Sequence, residues 1–215
     1  MMPPEPPDSD ASGGLTIGCT DSTDGLRNLN WDIGEIGEFV WDGGGADNLA
    51  SNGDNWVWDA APSATSNVHW GIIGAKDCTW DIATTAGNWD VHDIFSNTIT
   101  LANAIIIANL YHDGGTITTS TSNHAITVTT STYIYAGSTL KVNGSTCALA
   151  QLLVNGTLNI NGRATITHKG FITGSGTIKL DEDAVIYDIE HPPAMPIRLP
   201  LKIPRKNSGV LWVGI

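Results

Sequence analysis

The chain has 215 residues, of which only 15% are charged, and it carries a net charge of −12. Apolar residues make up 41%, too many for a disordered chain, and no apolar run approaches the roughly 18 residues of a membrane span. Helix formers with charged faces are scarce, whereas 24 Gly accompany abundant Thr, Asn and Ser, which excludes helical bundles and points to short strands with tight turns.

The charge is unevenly placed. Residues 1–93 hold 16 of the 22 acidic residues and only two basic ones, Arg27 and Lys76, whereas Arg198, Lys202, Arg205 and Lys206 crowd the C-terminal end. An acidic body lacks the clustered Lys and Arg that phosphate contacts need, so neither nucleic acid nor a membrane is expected as a partner. The basic tail suits docking on an acidic protein surface, a neighbouring copy included; the alternative is a solvated terminus. Cys19, Cys78 and Cys147 are far apart with no C-x-x-C spacing, which argues against a zinc knuckle and for buried free thiols.

In chain order, residues 1–30 read as an extended, Pro- and Asp-rich arm, with Pro3, Pro4, Pro6 and Pro7 as candidate assembly contacts. The start shows no basic n-region and no apolar core of a signal peptide. That combination fits a virion protein released by lysis, and equally a mature fragment given a new start methionine. Residues 31–93 hold seven of the eight tryptophans, Trp31, Trp41, Trp56, Trp58, Trp70, Trp80 and Trp89. Short alternating runs between Gly, Asp and Asn turns predict a small β unit built around Trp that caps the next segment of the chain.

Residues 94–190 change character. Gly137-Ser-Thr-Leu-Lys-Val-Asn-Gly144 recurs as Gly156-Thr-Leu-Asn-Ile-Asn-Gly162 and as Gly176-Thr-Ile-Lys-Leu-Asp181, after a looser copy at Gly115-Thr-Ile-Thr-Thr. Leu140 and Val142, Leu158 and Ile160, and Ile178 and Leu180 alternate with polar residues, which turns one face inward. A period near 20 with several short strands per repeat is the mark of a β-solenoid, and a meandering β-sandwich is the competing fold. Four or five coils at roughly 4.8 Å each give a stem of about 20–25 Å. Residues 191–215 form a Pro-rich basic tail that ends on an apolar segment with Leu211 and Trp212. That segment either covers the open end of the solenoid or adds to a neighbour's sheet edge.

The chemistry-bearing patterns are sparse. Asp90-Val-His92-Asp93 and Tyr111-His112-Asp113 bring His beside Asp, as in general bases and metal sites. No nucleophile elbow, HExxH or P-loop accompanies them. Asp113 is the one acid between residues 94 and 180, so the paired carboxylates of glycoside hydrolysis are missing from the repeats. The stretch from Asp42 through Asp47 and Asn48 to Asp54 is rich in oxygen ligands and is a weak Ca²⁺ candidate, although its spacing is not that of an EF-hand. Plain turn chemistry explains the same residues.

Trp41-Asp-Gly-Gly-Gly-Ala-Asp47-Asn48, followed by Gly53-Asp-Asn-Trp56, Ala61-Pro62 and Lys76-Asp-Cys-Thr-Trp-Asp81, resembles the W-x-G-G-G-x-D-N…N-W opening of β-helical phage structural and bacterial surface proteins. The resemblance covers about residues 40–185 and implies an all-β fold, a short right-handed parallel β-helix without catalytic residues. It also implies self-association, with a homotrimer as the first expectation. The few repeats favour a compact virion component over a long surface stalk. The expected function is therefore non-enzymatic: a capsid decoration, head spike or tail appendage that contacts other virion proteins through its arms and needs no cofactor. The alternatives are an extracellular cell-surface adhesin or carbohydrate-binding module that contacts host glycans, and a polysaccharide lyase or hydrolase.

Overall fold

A computed structural model of the chain describes residues 38–63, 66–71, 76–83, 85–119, 123–188 and 209–212. The N-terminal arm with Pro3, Pro4, Pro6 and Pro7 lies outside the described residues, as do Arg198, Lys202, Arg205 and Lys206 of the tail, Cys19 and Trp31. From Phe39 onward the chain belongs to one compact unit.

That unit is an all-β solenoid whose strands alternate between two sheets. One sheet runs β1 (Glu38–Val40), β2 (Asn67–Trp70), β4 (Thr85–Val91), β6 (Ile105–His112), β8 (Ile126–Ile134), β10 (Thr146–Ala150), β13 (Thr165–Lys169), β15 (Val185–Asp188), with β11 (Leu152–Val154) also paired on β8. The other runs β3 (Cys78–Trp80), β5 (Thr98–Leu101), β7 (Thr116–Thr118), β9 (Thr139–Asn143), β12 (Thr157–Asn161), β14 (Thr177–Leu180), β16 (Gly209–Trp212). Neighbours from β2 to β15 and from β3 to β14 pair in parallel. Six strand spacings of about 4.8 Å from β2 to β15 give a ladder roughly 29 Å long.

The repeat read from the sequence is the ladder register. Cys78, Ile99, Ile117, Leu140, Leu158 and Ile178 stand opposite one another in a single inward column, and all six are buried. The glycine column is slightly offset from the apparent repeat. Thr116, Thr139, Thr157 and Thr177 are register partners, so Gly115, Ser138, Gly156 and Gly176 are equivalent and Gly137 lies one residue before its column.

The change of composition near residues 93 and 94 is not a break in the sheet. Val68 pairs with Trp89 and Trp89 with Leu110, so the parallel ladder runs straight through it. The Trp-rich segment thus supplies the first strands of the solenoid, which is why the ladder exceeds the expected 20–25 Å. The covering role falls to residues 39–58. Trp41 and Trp56 form an antiparallel bridge and Leu49 bridges Thr79, which places the chain around Leu49 beside β3 as an extra rung. Five indoles, Trp41, Trp56, Trp70, Trp80 and Trp89, are fully buried there. They pack edge to face, with Trp80 and Trp89 centroids 4.7 Å apart at 62°, an arrangement suited to the ring quadrupole. Trp58 is part-exposed at 38%.

At the other end β16, which holds Leu211 and Trp212, pairs antiparallel with β14. It therefore closes this chain's own sheet edge, the first of the two roles expected for the final segment. Cys78 and Cys147 are buried free thiols; burial raises both, that of Cys147 to about 12.

Candidate functional site

The oxygen-rich loop after β1 is organised by protein donors. Asn55 is its buried hub: its Nδ2 donates to Asp47 Oδ1 at 3.0 Å and to the Leu49 carbonyl at 3.0 Å, while its Oδ1 accepts from Gly45 N–H. Asp47 Oδ1 also accepts from Asn52 Nδ2 and from Leu49 N–H, both at 3.1 Å. The side-chain bond from Asn52 and the backbone bond from Leu49 hold this exposed carboxylate below its ordinary value, with Asn55 and Lys76 adding to the effect. The Lys76 ammonium reaches the carbonyl oxygens of Gly45 at 2.8 Å and Gly43 at 3.4 Å, and that of Asp47. A cation thus already sits on these carbonyls, and it belongs to the chain. Asp42 Oδ1 accepts from Gly44 N–H at 2.8 Å, and Asn48 lends its carbonyl to Thr79 N–H. The exposed Asp54 donates its backbone N–H to Asn52 Oδ1, as the first residues of a 3₁₀ turn do. The four Ca²⁺ candidates are therefore occupied with turn chemistry. Gly43 has φ +64°, and a Cβ there would meet Lys76 Cβ at 2.7 Å, so the glycine run lets the loop close over Lys76.

The second pattern, His beside Asp, divides in two. His112 lies in the inward column Trp70, Val91, His112, Ile134, Val154 and is fully buried, which pushes it down to about 4 against the opposing pull of the Gly114 and Gly115 backbone. Its neighbours Tyr111 and Asp113 face the other way. Asp90 and His92 both lie on the outer face, two residues apart, with His92 Nε2 3.9 Å from Asp90 Oδ2.

Strand pairing adds residues to that outer face that are distant in the chain. His69, Asp90, Tyr111 and Tyr133 are consecutive register partners on β2, β4, β6 and β8. His69 Nδ1 lies 3.8 Å from the same Asp90 Oδ2, and the two imidazoles are 5.9 Å apart with a 31° tilt. Tyr111 stacks on Tyr133 at 5.4 Å and 4°, and Tyr133 on Tyr135 at 6.1 Å and 15°. Burial, then the neighbouring Tyr133 and Asp113, raises the Tyr135 hydroxyl. One column over, Asn109 Nδ2 donates to Asn88 Oδ1 at 2.8 Å, and Asn67 Oδ1 accepts from Asn88 N–H. At the corner beside this face, an open groove of about 370 Å³ is lined by Asp93, Phe95, Ser96, Asp113, Gly114, Gly115, Thr116, Ala136, Gly137 and Thr139.

The outer face of β2, β4, β6 and β8 is thus a continuous strip of Asn, His, Asp and Tyr. Sequence reading reached Asp90 and His92 but missed His69 and the tyrosine stack. The available signal was the period: His69 and Asp90 are 21 residues apart, and Tyr111 and Tyr133 are 22 apart, each one coil. Comparison with models of known families, with curated proteins and with solved structures finds no match for this chain.

Proposed function

We propose that the chain is a non-enzymatic structural protein of a phage-like particle, a capsid decoration, head spike or tail appendage whose solenoid projects while its terminal segments dock. The observation that carries this reading is the unbroken ladder. One inward column of Cys78, Ile99, Ile117, Leu140, Leu158 and Ile178 unites every coil it crosses, and β16 closes one sheet by antiparallel pairing. A body built this way transmits load as one piece and resists edge-to-edge aggregation. The acidic N-terminal residues and the basic Arg198, Lys202, Arg205 and Lys206 supply opposite charges for contacts between copies or with other particle proteins.

Purified particles from the source should contain the protein, and deletion of residues 1–30 or 196–215 should strip it from them. Its absence from every particle fraction sinks the reading. Light scattering of the full chain should give three times 22.7 kDa if the particle component is the expected homotrimer.

A second reading, a glycan-binding surface module, is favoured by the Tyr111, Tyr133 and Tyr135 stack beside an Asn ladder. Aromatic faces with adjacent amides suit sugar rings, which offer apolar C–H faces and hydroxyl rims. A glycan array that detects binding lost in Tyr133→Ala would move the assignment to this class.

A further inference from the structure

We propose that His69, Asp90 and His92 form a site for one divalent transition-metal ion, Zn²⁺ first among them, which ties β2 to β4 at the start of the solenoid. The three ligand atoms, two imidazole nitrogens and one carboxylate oxygen, all lie within 4.8 Å of one another. Both histidines converge on the same oxygen, Asp90 Oδ2, at 3.8 and 3.9 Å. Those separations exceed a hydrogen bond and leave a gap at the centre of the triangle. An ion about 2.0–2.2 Å from each ligand needs ligand atoms roughly 3.4 Å apart in a tetrahedral arrangement. Side-chain torsions that draw each pair together by about half an ångström suffice.

The backbone fixes these three positions before any ion arrives. His69 and Asp90 are direct register partners on adjacent parallel strands, and His92 follows Asp90 by two residues, back on the same face. His92 Nε2 is buried as an atom and has no hydrogen-bond partner among the described residues, although its side chain as a whole is 38% exposed. It is an orphaned lone pair or N–H aimed at a carboxylate, and a bound cation would satisfy both. Side-chain exposures of 15% for His69 and 34% for Asp90 leave the site sheltered and reachable, with room for water as a further ligand.

Donor chemistry selects the ion. Two nitrogens and one oxygen suit Zn²⁺, Co²⁺, Ni²⁺ or Cu²⁺, whereas Ca²⁺ and Mg²⁺ demand an oxygen shell. The loop after β1 shows the contrast: its oxygen-rich set is already neutralised by Lys76. The metal site does not depend on the particle assignment, since an ion that staples two strands serves a solenoid in either setting.

The test is a Co²⁺ titration of the chelator-treated full chain followed by visible absorption, with Zn²⁺ as competitor and Ca²⁺ as control. One equivalent should bind, Zn²⁺ should displace it, Ca²⁺ should not, and the thermal midpoint should rise with Zn²⁺ concentration. His92→Ala and Asp90→Asn should each weaken binding at least tenfold and abolish the Zn²⁺-dependent rise in midpoint. His92 is the most exposed of the three, so His92→Ala should keep the metal-free circular dichroism and midpoint of the parent, which separates lost ligation from lost folding. Absence of saturable binding up to about 1 mM ion, a Ca²⁺ response equal to that of Zn²⁺, or unchanged binding in both variants overturns the proposal.

Discussion

The two ends of the solenoid use one backbone plan with different fillings. Near β2, β3 and β4 the interior is indole, with Trp70, Trp80 and Trp89 fully buried. Around β9, β12 and β14 it is aliphatic, with Leu140, Val142, Leu158, Ile160 and Ile178 fully buried in register. Coil length follows the filling. In the first sheet, Val68 to Trp89 and Trp89 to Leu110 are steps of 21 residues, whereas Cys147 to Ile166 is 19 and Ile166 to Ile186 is 20. Bulky rings need a longer perimeter, and smaller side chains let the coil tighten while packing density is kept. The aromatic end also carries a cost that the aliphatic end lacks. Trp41 and Trp56 place their indole N–H on the carbonyls of Lys76 and Ala50, but those of Trp80 and Trp89 have no hydrogen-bond partner among the described residues. The lesson is that ladder periodicity tolerates a change of filling if the loops absorb the difference in length.

This contrast can be broken first at its cores. Trp80→Ala should destabilise by about 5 kcal/mol and Leu158→Ala by about 3 kcal/mol, because a larger cavity is left by the ring; urea unfolding of the two variants checks the order. An equal or reversed order would mean that the unsatisfied indoles offset the area they bury.

The next largest effect is a pH effect at the junction of the two fillings. His112 occupies an inward position between Val91 and Ile134, and burial holds it near 4, below the roughly 6.5 of a free imidazole. Between those values the unfolded chain takes up a proton that the folded chain refuses, so stability falls as pH drops from about 6.5 and levels off below about 4. The loss amounts to roughly 3 kcal/mol at about 1.4 kcal/mol per pH unit. His112→Leu should flatten the urea midpoint against pH over that window, and an unchanged slope would remove His112 as its source.

Backbone packing at the aliphatic end gives a sharper pair. A Cβ on Gly156 would meet the Tyr135 carbonyl at 2.1 Å and the Ser138 carbonyl at 2.6 Å, whereas one on Gly137 meets nothing within 4 Å. Gly137 has φ +96°, so Gly137→Ala should cost about 1 kcal/mol from backbone strain alone. Gly156→Ala should cost about 2–3 kcal/mol because two coils must move apart. Thermal unfolding of both variants tests whether the glycine repeat is required by sterics between coils or by turn conformation.

The smallest effect belongs to the covering loop. Lys76→Met keeps much of the stem but removes the ammonium from the carbonyls of Gly43, Gly45 and Asp47, and should lower stability by about 1–2 kcal/mol. Added Ca²⁺ should restore part of it if the vacated oxygens accept a cation. No restoration would mean that the loop is specific for its own lysine.

Much of this architecture was legible in the chain itself. The alternation of Leu140 and Val142, repeated at Leu158 and Ile160, dictated inward and outward faces because successive strand residues point oppositely. The near-constant spacing of those copies dictated stacked coils, because only stacking brings equivalent side chains into one ladder. Trp content foretold a core of indoles. Three features were decided by tertiary structure alone. The Trp-rich segment joined the ladder, since its period of 21 is carried by Val68, Trp89 and Leu110, which do not look alike. Lys76, about 30 residues downstream, filled the oxygen-rich loop, and no local pattern encodes a contact of that range. His69, Asp90 and His92 met on one face, and Tyr111, Tyr133 and Tyr135 stacked. Parallel pairing sets residues one coil apart within about 5 Å, while the sequence records only their separation along the chain.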